Sequence, residues 1–247
     1  MSQKKIDICK SCGEKKVLVR AHIIPAAFFR QLRVGQRSPE LRSDQPGFYT
    51  RRYPKGIYDT GIVCQQCEAL FQSPDDYAAK KLIHGNADLE PIILEGEVIG
   101  HFLRNYDYKL LKLFFISVLW RAHVSTAPFY SKINLGPYAA DALKMIKSQD
   151  PGEPSGFSVM LAKFVDYPVA KIILDPHSER WWGVKAYRFY MGGFIVHIKC
   201  DKQLFPNSFD PVIMKPGKDL LIPSRDMVNS AEFEVLKKLF WAHSAQS

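Results

Sequence analysis

Four of the five cysteines fall into two tight pairs, Cys9-Lys-Ser-Cys12 and Cys64-Gln-Gln-Cys67, which bracket the stretch Ala21-His22-Ile23-Ile24-Pro25. Thiolates are soft ligands, and a Cys-x-x-Cys turn aims both of its sulfurs at one ion. Two such turns therefore suit a tetrahedral structural Zn²⁺ held by Cys9, Cys12, Cys64 and Cys67. Two reduced pairs or two disulfides are the alternatives. Thioredoxin-like redox chemistry fits less well, because it needs only one pair, set in a βαβ pattern. Cys200 is left over.

A basic stretch lies beside these cysteines. Between positions 20 and 55 stand Arg20, Arg30, Arg33, Arg37, Arg42, Arg51, Arg52 and Lys55, against Glu40 and Asp44 alone of opposite sign. The whole chain carries a formal net charge of +9. A basic run of this kind suits a phosphate backbone, from which bound cations are released on contact, although a solvated loop has the same composition. Arg20, Arg30, Arg33, Arg51, Arg52 and Lys55 are the candidate nucleic-acid contacts.

The elements that must position these residues are those of a soluble α+β protein. With 247 residues, 47% of them hydrophobic, the chain can bury a substantial core. The start, Met-Ser-Gln-Lys-Lys-Ile, has charge but no apolar stretch after it, so no secretory signal is expected; a zinc-thiolate site also suits a reducing compartment. A cytoplasmic location follows. The longest apolar run, from Leu110 to Trp120, is broken by Lys112 and falls short of the roughly 20 residues of a membrane span, so no membrane is expected as partner.

Two parts are expected. Residues 1–90 form a zinc-stabilised module with a basic insertion, and residues 91–247 an α+β domain that positions substrate or binds a partner. A loop with Gly85, Asn86, Pro91, Gly96 and Gly100 separates them. In the first part, Val17 to His22 reads as a strand ending in histidine, with Ile62-Val63 as its hairpin partner. A helix follows Cys67, and Ser73-Pro74-Asp75-Asp76 marks a break or a fresh start in it. In the second part, helices are expected over 106–123 and 137–146, strands over 157–164, 169–174, 184–190 and 194–198 with a Gly192-Gly193 turn, and an amphipathic helix over 230–241. Trp120-Arg121, Trp181-Trp182 and Tyr187-Arg188-Phe189-Tyr190 mix aromatic and guanidinium groups; they read as core and rim, or as stacking surfaces for unpaired bases.

Residues 9–84, through CKSC, AHIIP and DTGIVCQQCE, resemble the HNH endonuclease family, in its zinc-stabilised branch with a ββα-metal core. The resemblance implies a small zinc-bound ββα-metal module followed by a mixed helical and antiparallel-β domain. It implies a metal-dependent endonuclease that hydrolyses phosphodiester bonds in DNA. His22 matches the general base, Asp59 the residue that orients it, and Glu68 the helical residue that contacts a catalytic Mg²⁺ or other divalent ion. The family's pattern thus reads His-Asp-Glu here. Each role makes chemical sense: histidine can take a proton near neutral pH, a carboxylate on its second nitrogen fixes the tautomer, and Glu68 is a hard oxygen ligand. The structural readings are a packed histidine at 22, a turn cap at Asp59 before Gly61, and a helix-dipole carboxylate at Glu68.

The family usually has a polar residue just before the base, where Ala21 offers no ligand; Asp75, Asp76 and His84 are the candidate replacements. His101, His123, His177, His197 and His243 show no clustered spacing. If the metal site is lost, the chain is a non-catalytic zinc-scaffolded nucleic-acid-binding or adaptor protein. A third reading, by analogy with the family alone, is a module of a toxin or defence assembly that needs a protein partner or a second copy.

Overall fold

The structure, a computed structural model, describes residues 5–33, 38–43, 51–85, 88–164 and 172–226. Arg37, Asp44, Asn86 and the helix expected over 230–241 lie outside them. The chain opens with a hairpin, β1 (Ile6–Ile8) against β2 (Lys15–Val17), whose turn carries Cys9 and Cys12. Then follow β3 (Ala21–His22), a short helix α1 (Ala26–Arg30), β4 (Glu40–Arg42), β5 (Arg51–Arg52) and β6 (Tyr58–Asp59). β3 pairs with β6 antiparallel, and the same two segments meet again through Leu18 and Cys64. Helix α2 (Gln65–Ala78) starts at Cys64 and continues as a π-helical turn over Ala79–His84.

The described parts of the basic stretch between β3 and β6 form α1, β4 and β5, and β4 pairs in parallel with β10 (Ile172–Leu174), far along the chain. Pro74 does not break α2. Its missing N–H leaves the Leu70 carbonyl without the usual partner four residues on, and the Gln149 side-chain amide donates to that carbonyl instead, at 3.4 Å.

The expected linker around position 90 is a β-hairpin, β7 (Leu89–Leu94) with β8 (Glu97–Leu103). β7 is an edge strand, where a proline costs no ladder bond, so Pro91 is tolerated. Gly100 is needed for close approach, since a Cβ there would sit 3.1 Å from the Ile222 carbonyl oxygen. α3 (Tyr108–Val124) and α4 (Tyr138–Ser148) stand where the periodicity puts them. β9 (Val159–Phe164), β11 (His177–Trp181), β12 (Val184–Met191), β13 (Phe194–Lys199) and β14 (Leu220–Arg225) complete a seven-stranded sheet in the order β11-β12-β13-β9-β14-β8-β7. It is mixed rather than antiparallel, because β14 runs parallel to β9.

The apolar core does not divide at residue 90. α3 is buried on nearly every face, and both halves pack on it: Phe28 of α1 stacks on Phe114 at 5.2 Å, and Phe71 of α2 lies 6.1 Å from Trp120. Gly192, in the β12–β13 turn, lies against Phe28 and Ile83 from the first half. Among the described residues, no helix is long and apolar enough to cross a membrane.

Candidate active site and metal centre

The two cysteine pairs converge. Gly13 takes a positive φ of 78°, and its N–H closes the Cys9 turn on the Cys9 carbonyl at 2.8 Å. The second pair sits at the start of α2, where the Cys64 N–H reaches the Cys9 sulfur at 3.4 Å. The four sulfurs lie within 4.8 Å of one another, and all five cysteines of the chain are free thiols. Four ligands about 2.3 Å from one ion would stand roughly 3.8 Å apart, so the group could hold a metal ion with little movement. Burial opposes ionisation of Cys9, but the N–H groups of Cys12, Cys64 and Ser11 prevail and bring its thiol down to about 6. Burial pushes the Cys67 thiol up to about 12. Cys200 is buried and takes no part in the group.

Beside this cluster lies a cleft of about 300 Å³, with His22, Pro25 and Ala26 on one wall. Gln65, Glu68, Ala69, Gln72, Asp75 and Asp76 line the other. Their spacing of three and four residues makes them one face of α2. Two polar atoms in this cleft, His22 Nε2 and Glu68 Oε2, are buried and have no hydrogen-bond partner among the described residues. Such atoms are costly unless something fills the site.

The Lys55 backbone is the one neighbour that favours the protonated His22 ring. Burial, then the charges of Arg20 and Arg121, lower the His22 pKa, against the pull of the Lys55 carbonyl. Burial raises the Glu68 carboxyl to about 7, opposed by Arg121 and helped by Asp75.

Asp59 does not orient His22. It is the cross-strand partner of Ala21, while His22 faces Tyr58. Residues directly opposite share a face and successive residues alternate, so the Asp59 and His22 side chains leave the ribbon on opposite sides. The Asp59 carboxylate accepts instead from the N–H groups of Gly61 and Thr126, both at 2.7 Å, and from the hydroxyls of Ser125 and Thr126, both at 3.0 Å. Burial alone would raise its pKa, but these donors outweigh it and hold the carboxyl below the ordinary range. Asp59 thus ties β6 to the segment after α3.

Ala21 is fully buried and brings no ligand. Asp75 is committed to a two-pronged ion pair with Arg121, at 2.7 and 2.8 Å. Asp76 lines the cleft, while His84 is exposed and does not. Of the basic residues, Arg20 and Arg30 are exposed and their charges reach His22. Arg20 also lies 3.2 Å over the Tyr58 ring. Arg33 donates to the Pro54 carbonyl, Arg52 pairs with Glu40 at 3.5 Å, and Arg51 enters through β5. Lys55 is exposed. The residues not singled out by spacing are Gln65, Gln72 and, above all, Arg121, for which a charge inside an apolar helical run was the available signal.

Fold and site together define an α+β protein in which a four-cysteine cluster capable of holding a metal ion adjoins a histidine–glutamate cleft. Comparison with family models, with curated proteins and with solved structures finds no match to the chain.

Proposed function

We propose that the chain is a metal-dependent endonuclease of the HNH type that hydrolyses phosphodiester bonds in DNA, built on a structural zinc at Cys9, Cys12, Cys64 and Cys67. The observation that carries this reading is the pair of buried, unpartnered atoms, His22 Nε2 and Glu68 Oε2, in one cleft. His22 is the general base. Burial and the charges of Arg20 and Arg121 lower its pKa and keep the imidazole uncharged near neutral pH, ready to take a proton from water. Glu68 would hold a divalent cation such as Mg²⁺ by its carboxylate, with water completing the shell. That ion, when bound, supplies stabilisation of charge on the scissile phosphate and the leaving oxygen. Arg20 and Arg30, exposed and with charges that reach His22, would contact the flanking phosphates. The zinc ties the β1–β2 hairpin to the start of α2 and so fixes the wall that carries Glu68.

Buried Ala21 and the ion-paired Asp75 favour a second reading, a nucleic-acid-binding adaptor without catalysis. One experiment separates the two. Supercoiled plasmid and single-stranded DNA are incubated with zinc-loaded protein in Mg²⁺ or Mn²⁺, alongside His22→Ala and Glu68→Gln. The nuclease reading expects cleavage that falls on the order of 10²-fold or more in both variants. DNA left intact by all three proteins, with binding that weakens steeply as salt rises, would replace it with the adaptor.

A further inference from the structure

Arg121 has no exposure at all and sits in the last turn of α3, the central apolar helix. Its guanidinium makes five hydrogen bonds. Nη1 donates to the His22 carbonyl and to Asp75 Oδ2, both at 2.8 Å. Nη2 donates to Asp75 Oδ1 at 2.7 Å and to the Ser117 hydroxyl at 3.0 Å, and Nε to the Ser117 carbonyl at 3.3 Å. Its flat face covers the Phe71 ring at 4.7 Å. All five N–H donors are thereby used, in a planar fork that a lysine cannot reproduce.

These partners belong to the two walls of the cleft. The His22 carbonyl is the backbone of one wall, and Asp75 stands seven residues, or two helical turns, beyond Glu68 on the other. One rigid group from a third element therefore grips both. Stability alone is a weak reason for such an arrangement, because a buried ion pair can often be replaced by apolar residues at little cost. We propose that Arg121 is a positioning residue: it sets the separation and orientation of the His22 wall and the Glu68 helix. This rests on the nuclease reading for its catalytic consequence but not for its geometry. In support, the Arg121 charge lies close enough to act on both His22 and Glu68. Arg121 touches neither substrate nor metal; it acts through what it holds.

The test uses the zinc-loaded full chain carrying Arg121→Met with Asp75→Leu, which removes the pair without stranding a buried charge, and Arg121→Lys, which keeps the charge but not the fork. The first readout needs no activity: the nitrogen-15 spectrum of the His22 imidazole. Wild type should show one defined tautomer, and both variants a mixture. The second readout is kinetic, with kcat expected to fall on the order of 10²-fold and KM to stay nearly constant, the signature of a displaced base rather than lost binding. A wild-type imidazole spectrum and unchanged kcat in either folded variant would overturn the proposal, and Arg121→Lys decides alone if the double variant does not fold. If wild type does not cleave DNA, the nuclease reading fails, yet the imidazole spectrum still decides the role of Arg121.

Discussion

Removing the Asp59 carboxylate should cost stability and spare the chemistry at His22. Asp59 is 7% exposed and accepts four hydrogen bonds, two from backbone N–H groups at 2.7 Å and two from hydroxyls at 3.0 Å. A hydrogen bond to a charged group contributes about 1.5–3 kcal/mol, but four donors on one carboxylate do not add, and the hydroxyls can turn to water. Counting the two N–H groups gives about 3 kcal/mol for Asp59→Ala, or a fall in Tm of about 6–12 °C for a chain of this size. Asp59→Asn keeps one acceptor oxygen and should lose about half as much.

The pH dependence gives a second signature. The carboxyl is held below its ordinary value of 3.8, so its contribution is complete above that value and disappears as pH falls through the lower, folded-state value. Thermal unfolding followed by circular dichroism from pH 7 to pH 3 should show the wild-type and Asp59→Ala curves drawing together in acid. A wild-type Tm for Asp59→Ala, or a gap of constant size at every pH, would refute the account of this network. Loss of DNA cleavage in Asp59→Asn at a temperature where it is folded would return Asp59 to the side of His22.

Three other outcomes follow from the same structure. Zinc-loaded protein should contain one metal ion per chain by mass spectrometry, and Cys9→Ser should lose it and lower Tm by about 10 °C or more. Gly192 has a φ of +60°, and an added Cβ would meet Ile83 at 2.5 Å and Phe28 at 2.9 Å, whereas at Gly193, with a φ of +86°, it meets nothing within 4 Å. Urea unfolding should therefore find Gly192→Ala about 2–4 kcal/mol less stable than wild type, and Gly193→Ala only about 1 kcal/mol. Burial lowers the Lys112 ammonium to about 7, although it donates to the Glu153 carbonyl at 2.6 Å and the Tyr108 hydroxyl at 2.9 Å. Between that value and 10.5 the unfolded chain binds the extra proton, so wild-type stability should rise with pH across this window relative to Lys112→Met, as unfolding at pH 7 and pH 9 would show.

What the sequence determined by itself is what lies in short-range spacing. Two Cys-x-x-Cys turns place four sulfurs, and the structure brings them together as one group. The apolar run around Leu113 and Trp120 makes α3 a buried helix, and Gly192-Gly193 between β-rich stretches gives the β12–β13 hairpin. Each of these depends on residues within a few positions of one another, so periodicity and turn chemistry suffice. Spacing also put His22 at a strand end and Glu68 on the following helix, but it could not say that the two line one cleft.

Only the tertiary structure decided who touches them. Asp59 looked like the partner of His22 because it stands where the family resemblance has the orienting residue, but strand register turns it toward Ser125 and Thr126. Pro74 reads as a helix breaker until Gln149, from beyond the next helix, supplies the missing donor. Trp120-Arg121 reads as core and rim, or as a stacking surface, until folding sets Arg121 between His22 and Asp75. In each case the deciding partner comes from a distant segment. Local patterning fixes which elements form, but the pairing of one particular polar group with another is set by how those elements pack.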